Sequence, residues 1–279
     1  MHFQNPHRPQ PTSFASLAKS ILIHRQLIIQ MIKREVVGRY KGSVFGLAWS
    51  FLNPILMLTI YTFVFSVVFK ARWGEGGSDS KTQFALLVFV GMIVLNLFSE
   101  AVNRSPGLIL GNTNYVKKVV FPLEILPVIS LGAALFHAAI SFLVLTFALV
   151  VINHQIHWTI VFAPLVFAPL VFFTLGVTWM LASLGVFMRD VGQTIGILTT
   201  ILMFMSPVFY PVSALPAQFQ GVMMLNPLTF IIEQTRTVAI AGQMPNWSGL
   251  AIYTLVALVV MWLGYAWFQK TRKGFADVL

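Results

Sequence analysis

Long stretches of the chain contain only apolar and uncharged polar residues, and they define the predicted architecture. Five such stretches carry no Asp, Glu, Lys or Arg: residues 42–69, 82–99, 125–188, 191–232 and 237–269. A charged side chain at the centre of a membrane-inserted helix costs about 2.5–3.5 kcal/mol. A helix that crosses the bilayer needs about 20 consecutive, mainly apolar residues. The pattern therefore predicts an all-α integral membrane protein.

The charge-free stretches divide into six predicted transmembrane spans. Residues 125–188 are too many for one helix, and the polar run 153–157 splits them in two, while Arg189-Asp190 closes the second half. The predicted spans are 45–69, 84–103, 123–152, 159–187, 191–209 and 247–268. Residues 45–268 then form the transmembrane domain, between a tail with an interface helix at 1–44 and a second tail at 269–279.

The segment 210–246 admits two readings, a seventh span or two short half-helices that enter the bilayer and return. Prolines and glycines interrupt its apolar sequence at 211, 216, 221, 227, 242 and 245. With six spans, fourteen of the eighteen Lys and Arg residues lie on one side of the membrane. Cytoplasmic loops carry an excess of these residues, so the charges favour six spans with both termini in the cytoplasm. Residues 210–246 are then predicted to be re-entrant gate helices at the external mouth, shielded by protein or lining a water-filled cavity.

An amphipathic helix is predicted before the first span. Four apolar residues fall on one helical face and three polar residues form a stripe elsewhere: Leu17, Ile21, Ile28 and Ile32, against Lys19, Gln26 and Lys33. Such a helix lies in the interface of an anionic leaflet. A generic membrane anchor would show the same pattern.

Composition supports the membrane interpretation. Of 279 residues, 57% are hydrophobic and 9% charged, whereas soluble domains contain about 25% charged residues. The net charge of +10 does not indicate nucleic-acid binding, because long charge-free stretches that a bilayer can hold separate the groups of basic residues. The chain has no cysteine, which excludes disulfides and thiolate metal sites.

Residues typical of an enzyme or an ion-driven pump are scarce. The glycine-rich run 74–82 has Ser80, not Gly, before Lys81, so it does not match a phosphate-binding loop. His137 is the only histidine deep in a predicted span, and we expect no acid beside it. We therefore expect a helix–helix hydrogen bond from His137 rather than acid–base catalysis or ion coupling. No metal or cofactor is expected on this chain.

Aromatic side chains are the remaining candidate chemistry. Phe51, Tyr61 and Phe65, together with Leu58, repeat on one face of the first span. Phe204, Phe209 and Tyr210 end the fifth span. Such faces can stack on sugar rings along a substrate pathway, although lipid-facing packing would give the same pattern.

Several motifs resemble polysaccharide-exporting ABC permeases of the type-2 exporter family. They follow the family's order over residues 30 to 240: Arg34–Ser43 with Gly46–Trp49 and Pro54, Asn112–Pro127, Phe187–Asp190, Ser206–Pro211, and Asn226-Pro227. Phe45 and Glu35 depart mildly from the family pattern, where Leu and Asp are common.

The resemblance implies a half-transporter in the inner membrane of a bacterium. Two copies of the chain would assemble with two separate ATP-binding cassette subunits, which bind ATP and Mg. The implied cargo is a lipid-linked polysaccharide of the O-antigen, capsule or teichoic acid type.

The resemblance also implies roles for particular residues. The loop 104–118, a short helix across the membrane surface, would couple to the ATPase through Pro106, Leu108, Asn112, Lys117 and Lys118. Arg189 and Asp190 would form a second contact, or alternatively an ion pair with each other. The interface helix and the start of the first span would receive the lipid headgroup or brace the ATPase, through Arg34, Arg39, Lys41 and Trp49.

Two other functions fit less well. A permease for drugs or small lipids would share the fold and the ATPase partner, and a mostly apolar pathway would favour it. A membrane-embedded glycosyl or acyl transferase would need an acid pair, which the sequence does not show within a span.

The six-span topology predicts opposite accessibility for two loops. Because the chain has no cysteine, single cysteines at Lys81 and Arg272 can be labelled selectively. We expect a membrane-impermeant thiol reagent to reach position 81 from outside and position 272 only from the cytoplasm. Labelling of both positions from the same side would rule out this topology.

Overall fold

The computed structural model describes residues 12–64, 80–117, 121–154 and 156–279, and every regular element within these ranges is helical. The α-helices are α1 (Phe14–Ile23), α2 (Arg25–Arg39), α3 (Trp49–Thr62), α4 (Ser80–Arg104), α5 (Thr113–Lys117), α6 (Ile125–Asn153), α7 (Ala163–Phe187), α8 (Val191–Phe204), α9 (Ala217–Met224), α10 (Pro227–Ala239), α11 (Trp247–Thr271) and α12 (Phe275–Val278). The predicted all-helical fold is confirmed for this part of the chain.

Four of the helices are long and apolar enough to cross a membrane. Together with their flanking turns they cover Gln83–Gly107, Ile125–Ile152, Trp158–Phe187 and Trp247–Val278. These correspond to the predicted second, third, fourth and sixth spans. In each case a helix satisfies most backbone hydrogen bonds within a long, mainly apolar segment, as hydrocarbon surroundings require.

The helices at the predicted first and fifth spans are shorter. Helices α3 and α8 have 14 residues each, which gives about 21 Å of α-helix against a hydrocarbon core of about 30 Å. Residues 65–69 of the first span lie outside the described residues. The fifth span ends at Phe204, five residues earlier than predicted, where Ser206-Pro207 begins a non-helical turn. Complete crossings at these two places stay predictions.

Residues 210–246 form two short helices, α9 and α10. Asn226 links the start of α10 to the end of α8: its Oδ1 accepts from Leu228 N, and its Nδ2 donates to Met205 O at 2.9 Å. The two-helix form agrees with the prediction, whereas re-entry into a bilayer is still only predicted.

The amphipathic segment is two helices, α1 and α2, that meet at His24. Of the predicted apolar face, Leu17 and Ile28 are buried and Ile21 and Ile32 are half-buried, while Lys19 and Lys33 are exposed. A place at the membrane interface stays a prediction. Helix α2 packs along the first turns of α6, where Ile32 fills the space over Gly132.

Helices α7 and α11 form the closest helix pair in the fold. A Cβ atom on Gly264 would lie 2.0 Å from the Gly176 carbonyl oxygen, so the two backbones touch. Small residues allow this approach between membrane helices and maximise their van der Waals contact. Trp179 and Tyr265, both fully buried, continue the interface with ring centroids 5.3 Å apart.

The α7–α11 contact predicts the effect of one added methyl group. We expect Gly264→Ala to destabilise the fold by about 1–3 kcal/mol, because the Cβ meets backbone that cannot rotate away. Gly221→Ala on α9 is the control, since no atom lies within 4 Å of its Cβ position. Thermal unfolding of the purified chain in detergent measures both. A Gly264→Ala protein that unfolds at the control's temperature would contradict this packing.

Candidate functional site

One end of the helix bundle, called here the base, carries most of the paired charges. The base comprises the C-terminal ends of α4, α7 and α11 and the N-terminal end of α6. The Nη1 atom of Arg272 donates to Glu124 Oε2 at 2.7 Å, and its Nη2 donates to Phe121 O at 3.1 Å. Ser20 of α1 donates to the second Glu124 oxygen at 2.9 Å. Glu124 therefore fastens α1 and the end of α11 to the start of α6.

A second cluster joins α2, α4 and α6. Glu100 on α4 forms an ion pair with Arg39 and a hydrogen bond with His137, whose Nδ1 lies 2.9 Å from Glu100 Oε1. The expected helix–helix hydrogen bond of His137 is thus confirmed. The expectation of no acid beside it is wrong, because packing of α4 against α6 brings Glu100 to the histidine although 37 residues separate them in sequence.

Tyr40 completes this cluster from the end of α2. Its Oη lies 3.3 Å from His137 Nε2. Burial raises the pKa of Tyr40 above its ordinary value, so the phenol stays protonated at neutral pH and can donate. Tyr40, Arg39 and Glu100 thus surround the His137 ring, with Tyr40 at Nε2 and the other two at Nδ1.

A third ion pair connects α2 to the end of α4, between Glu35 and Arg104. The sequence reasoning missed Glu35, Glu100 and Arg104 as functional candidates. The available signal was that ionisable residues at the ends of apolar spans are costly unless paired. The part of the chain that the structure describes contains no group of three potential metal ligands.

Two cavities lie on either side of these ion pairs, each about 480 Å³ in volume. The first, called the arginine cavity, lies between α2 and the segment after α4. Its polar lining residues are Arg34, Glu35, Arg39, Arg104, Asn112 and Tyr115, and its other lining residues are Met31, Gly38, Leu108, Leu126 and Ile129.

The second cavity, called the amide cavity, is enclosed by α3, α4 and α6. Three amides line it, Asn53, Asn96 and Asn103, with hydroxyls from Ser50, Ser99, Ser141, Tyr40 and Tyr61. Glu100 and His137 line it as well, and Arg39 and Arg104 are shared with the arginine cavity. A polar cavity among three apolar helices can accept a polar ligand.

The predicted pathway residues fall in three places. Tyr61 lines the amide cavity, whereas Phe51 is exposed on α3 and Phe65 lies outside the described residues. Phe204 and Phe209 meet at the end of α8, with ring centroids 6.4 Å apart. Tyr210 donates to Phe204 O at 2.6 Å and so joins the same group. The structure forms one aromatic group at α8 and places Tyr61 in a separate cavity.

The segment 105–117 contains two 3₁₀ turns, Ser105–Gly107 and Leu110–Asn112, followed by α5. The predicted short helix corresponds to these turns and α5, which Gly107 and Gly111 separate from one another. Pro106 is buried against α7, where a Cβ on Gly185 would lie 2.1 Å from Pro106 O. The 105–117 segment is thus seated in a notch at the end of α7.

The other predicted coupling residues are mostly on the surface of the base. Leu108 and Asn112 line the arginine cavity, and Lys117 is exposed. Lys118 lies outside the described residues. Arg189 and Asp190 are exposed at the turn between α7 and α8, and the ion pairs among described residues do not join them.

The predicted headgroup residues separate into two groups. Arg34 and Arg39 line the arginine cavity, together with two of the coupling residues. Lys41 is exposed, and half-buried Trp49 meets Phe45 edge to face at 5.7 Å at the start of α3. The structure thus brings candidate headgroup and coupling residues together in one cavity.

Comparisons with known proteins match most of the chain. The profile of the family described as ABC-2 type transporter matches residues 26–240. The O-antigen export system permease protein RfbA of Myxococcus xanthus is 27% identical, over 94% of this chain and 98% of the relative. The Klebsiella pneumoniae protein of the same name is 24% identical, over 91% and 95%. The capsule polysaccharide export inner-membrane protein CtrC of Neisseria meningitidis serogroup A is 22% identical, over 93% and 96%.

The Glu124 cluster predicts a large loss of stability on removal of its acid. We expect Glu124→Ala to cost about 3 kcal/mol, since it leaves the Arg272 guanidinium, only 10% exposed, without its partner. Asp277→Ala also removes one negative charge, but from an exposed site near the C-terminus, and should change stability by less than about 0.5 kcal/mol. Thermal unfolding in detergent compares the two. Equal unfolding temperatures would show that the Glu124 cluster does not hold the base together.

Proposed function

Because the chain belongs to the ABC-2 type transporter family, we propose that it is the membrane subunit of an ATP-driven exporter that moves a lipid-linked polysaccharide across the inner membrane. The observation that carries the proposal is similarity over at least 90% of both chains to permeases named for O-antigen and capsule export. Relatives that shared only the fold with this chain need not match it in length, and their names need not agree on one class of cargo.

We further propose that a separate subunit binds and hydrolyses ATP with Mg, and that both termini of this chain face the cytoplasm. The base supports this arrangement because exposed residues, Lys117 at the end of α5 and Arg189-Asp190 at the turn between α7 and α8, are available for contact with such a subunit. The 105–117 segment lies against the ends of both α7 and α8. A displacement of this segment would therefore be transmitted directly to α7 and α8, which correspond to the predicted fourth and fifth spans.

A second copy of the chain would complete the pathway. Helix α3 presents Phe51, Ile55, Ile60 and Phe63 as exposed apolar side chains, and α8 presents a similar set that includes Phe204. A few hundred Å² of contiguous apolar surface marks a contact with protein or lipid. In the proposed assembly these two helices face the partner copy, and the aromatic groups at Tyr61 and at Phe204–Tyr210 lie along the polysaccharide path.

The proposal is tested by reconstituting the full-length chain into liposomes with and without its ATPase subunit. We expect ATP hydrolysis and ATP-dependent movement of lipid-linked glycan only when both subunits are present. Gly185→Ala should leave the complex assembled and hydrolysing ATP but reduce glycan movement about tenfold or more, because its Cβ displaces Pro106 from the notch.

The matched control is Gly221→Ala on α9, where the added Cβ has no atom of this chain within 4 Å. It should retain near-normal glycan movement. Glycan movement by this chain alone, or by the complex without ATP, would refute the proposed function. Normal movement by Gly185→Ala would refute the role of the notch.

A further inference from the structure

A buried arginine joins three segments in the half of the bundle away from the base. Arg236, in the last turn of α10, is only 5% exposed. Its Nη2 atom donates to Leu87 O on α4 and to Val208 O just after α8, each at 3.0 Å. Its Nη1 atom donates to Glu233 Oε1 at 2.9 Å, on α10 itself. One side chain therefore connects α4 and α10 to the turn Ser206–Val208.

Gly91 on α4 leaves room for this contact. In an α-helix the carbonyl of residue 87 accepts from the N–H of residue 91, and its second lone pair remains for the guanidinium. A Cβ atom on Gly91 would lie 3.4 Å from Arg236 Nη2 and 3.1 Å from Val208 Cα. A side chain at this position would crowd both the arginine and the turn. The absence of one lets both lie directly on the surface of α4.

The turn Ser206–Val208 is buried and is held from two sides. All three of its residues are buried. Asn226, at the other end of α10, donates from Nδ2 to Ser206 Oγ at 2.9 Å. If the turn left α4, the buried guanidinium of Arg236 would lose the Val208 oxygen, and a buried charge without its acceptors is costly. We therefore expect this contact to persist while other parts of the protein move.

The turn adjoins the aromatic group at the end of α8. Phe204 and Phe209 lie on either side of it in sequence, and Tyr210 donates to Phe204 O. Side chains that contact a substrate act well only when the residues around them fix their position. The bond from Arg236 to Val208 O thus sets where these aromatic rings lie relative to α4.

We propose that Arg236 is a positioning residue for polysaccharide export. Together with Gly91 it keeps the turn Ser206–Val208 on α4 throughout the transport cycle, and so keeps the aromatic group in place along the path. The turn then moves with α4 and does not part from it when the exporter opens. This inference rests on the proposed function, which puts the aromatic group along the polysaccharide path.

A disulfide can replace the arginine in this role. Because the chain has no cysteine, Gly91→Cys with Val208→Cys introduces a single pair of thiols. The Cβ position of Gly91 is close enough to Val208 for the two to form a disulfide. Copper phenanthroline oxidises the pair, and dithiothreitol reduces it again. Glycan movement and ATP hydrolysis are then measured with the full-length chain and its ATPase subunit in liposomes.

Arg236→Gln should reduce glycan movement about tenfold or more while ATP hydrolysis continues. The glutamine side chain ends before Nη2, the atom that donates to Val208 O. When Arg236→Gln is combined with the two cysteines, we expect the reduced protein to stay impaired and the oxidised protein to regain most of the original rate. A bond at this one place would not repair a general loss of stability. Val208→Cys alone is the matched control, and oxidation should leave its rate unchanged.

Three results would overturn the proposal. They are normal glycan movement by Arg236→Gln, no recovery once its disulfide has formed, and loss of movement when the disulfide forms in a chain that retains Arg236. The third would show that the turn must leave α4 during transport, and it decides the matter if Arg236→Gln does not fold. Unchanged movement in that oxidised chain would support the proposal. Failure of the original chain to move glycan would instead refute the proposed function itself.

Discussion

The cost of an unpaired charge among apolar helices is the constraint on which the rest of this structure depends. The chain has only eight acidic residues, and four of the six within the described ranges form ion pairs with basic side chains. Three of these four, Glu35, Glu100 and Glu124, join helices that are distant in sequence. The Glu124–Arg272 pair is buried, so breaking it would leave a buried charge without its partner, and it fixes the end of α11 to the start of α6. Glu35 and Glu100 link α2 to α4 through arginines that are half-exposed.

Because these contacts hold the helices together, the 105–117 segment lies against a rigid base. Pro106 contacts the backbone at Gly185, the middle of α7 is held to α11 by the contact of Gly176 with Gly264, and the ends of the two helices are joined by the Ser183–Thr271 hydrogen bond. The arginine cavity lies between this segment and α2, and its walls include the ion pairs themselves. A force from an ATPase on this segment would therefore act next to the ion pairs of Arg39 and Arg104.

Sequence reasoning succeeded where a single helix determines the outcome. Four spans, the buried face of α1 and α2, and the hydrogen-bonding role of His137 followed from local pattern and membrane energetics. It failed where the outcome depends on contacts between distant segments. The pairing of Glu100 with His137 and the joint cavity of Arg34 and Leu108 arise from helix packing. Helix α8 ends earlier than predicted because Ser206-Pro207 begins a turn. The prediction of a span over 191–209 considered only how apolar these residues are.

The central claim is that the 105–117 segment and the end of α7 move as one body when ATP is hydrolysed. Since the chain has no cysteine, spin labels attach only to cysteines that are introduced. We choose Asn114→Cys and Met188→Cys, both at exposed positions. Pulsed electron paramagnetic resonance then measures their separation in the complex with the ATPase, with labelled chain diluted by unlabelled chain. The account predicts the same distance before and after trapping with ATP and vanadate. A shifted distance would show that the segment moves independently of α7, and would contradict it.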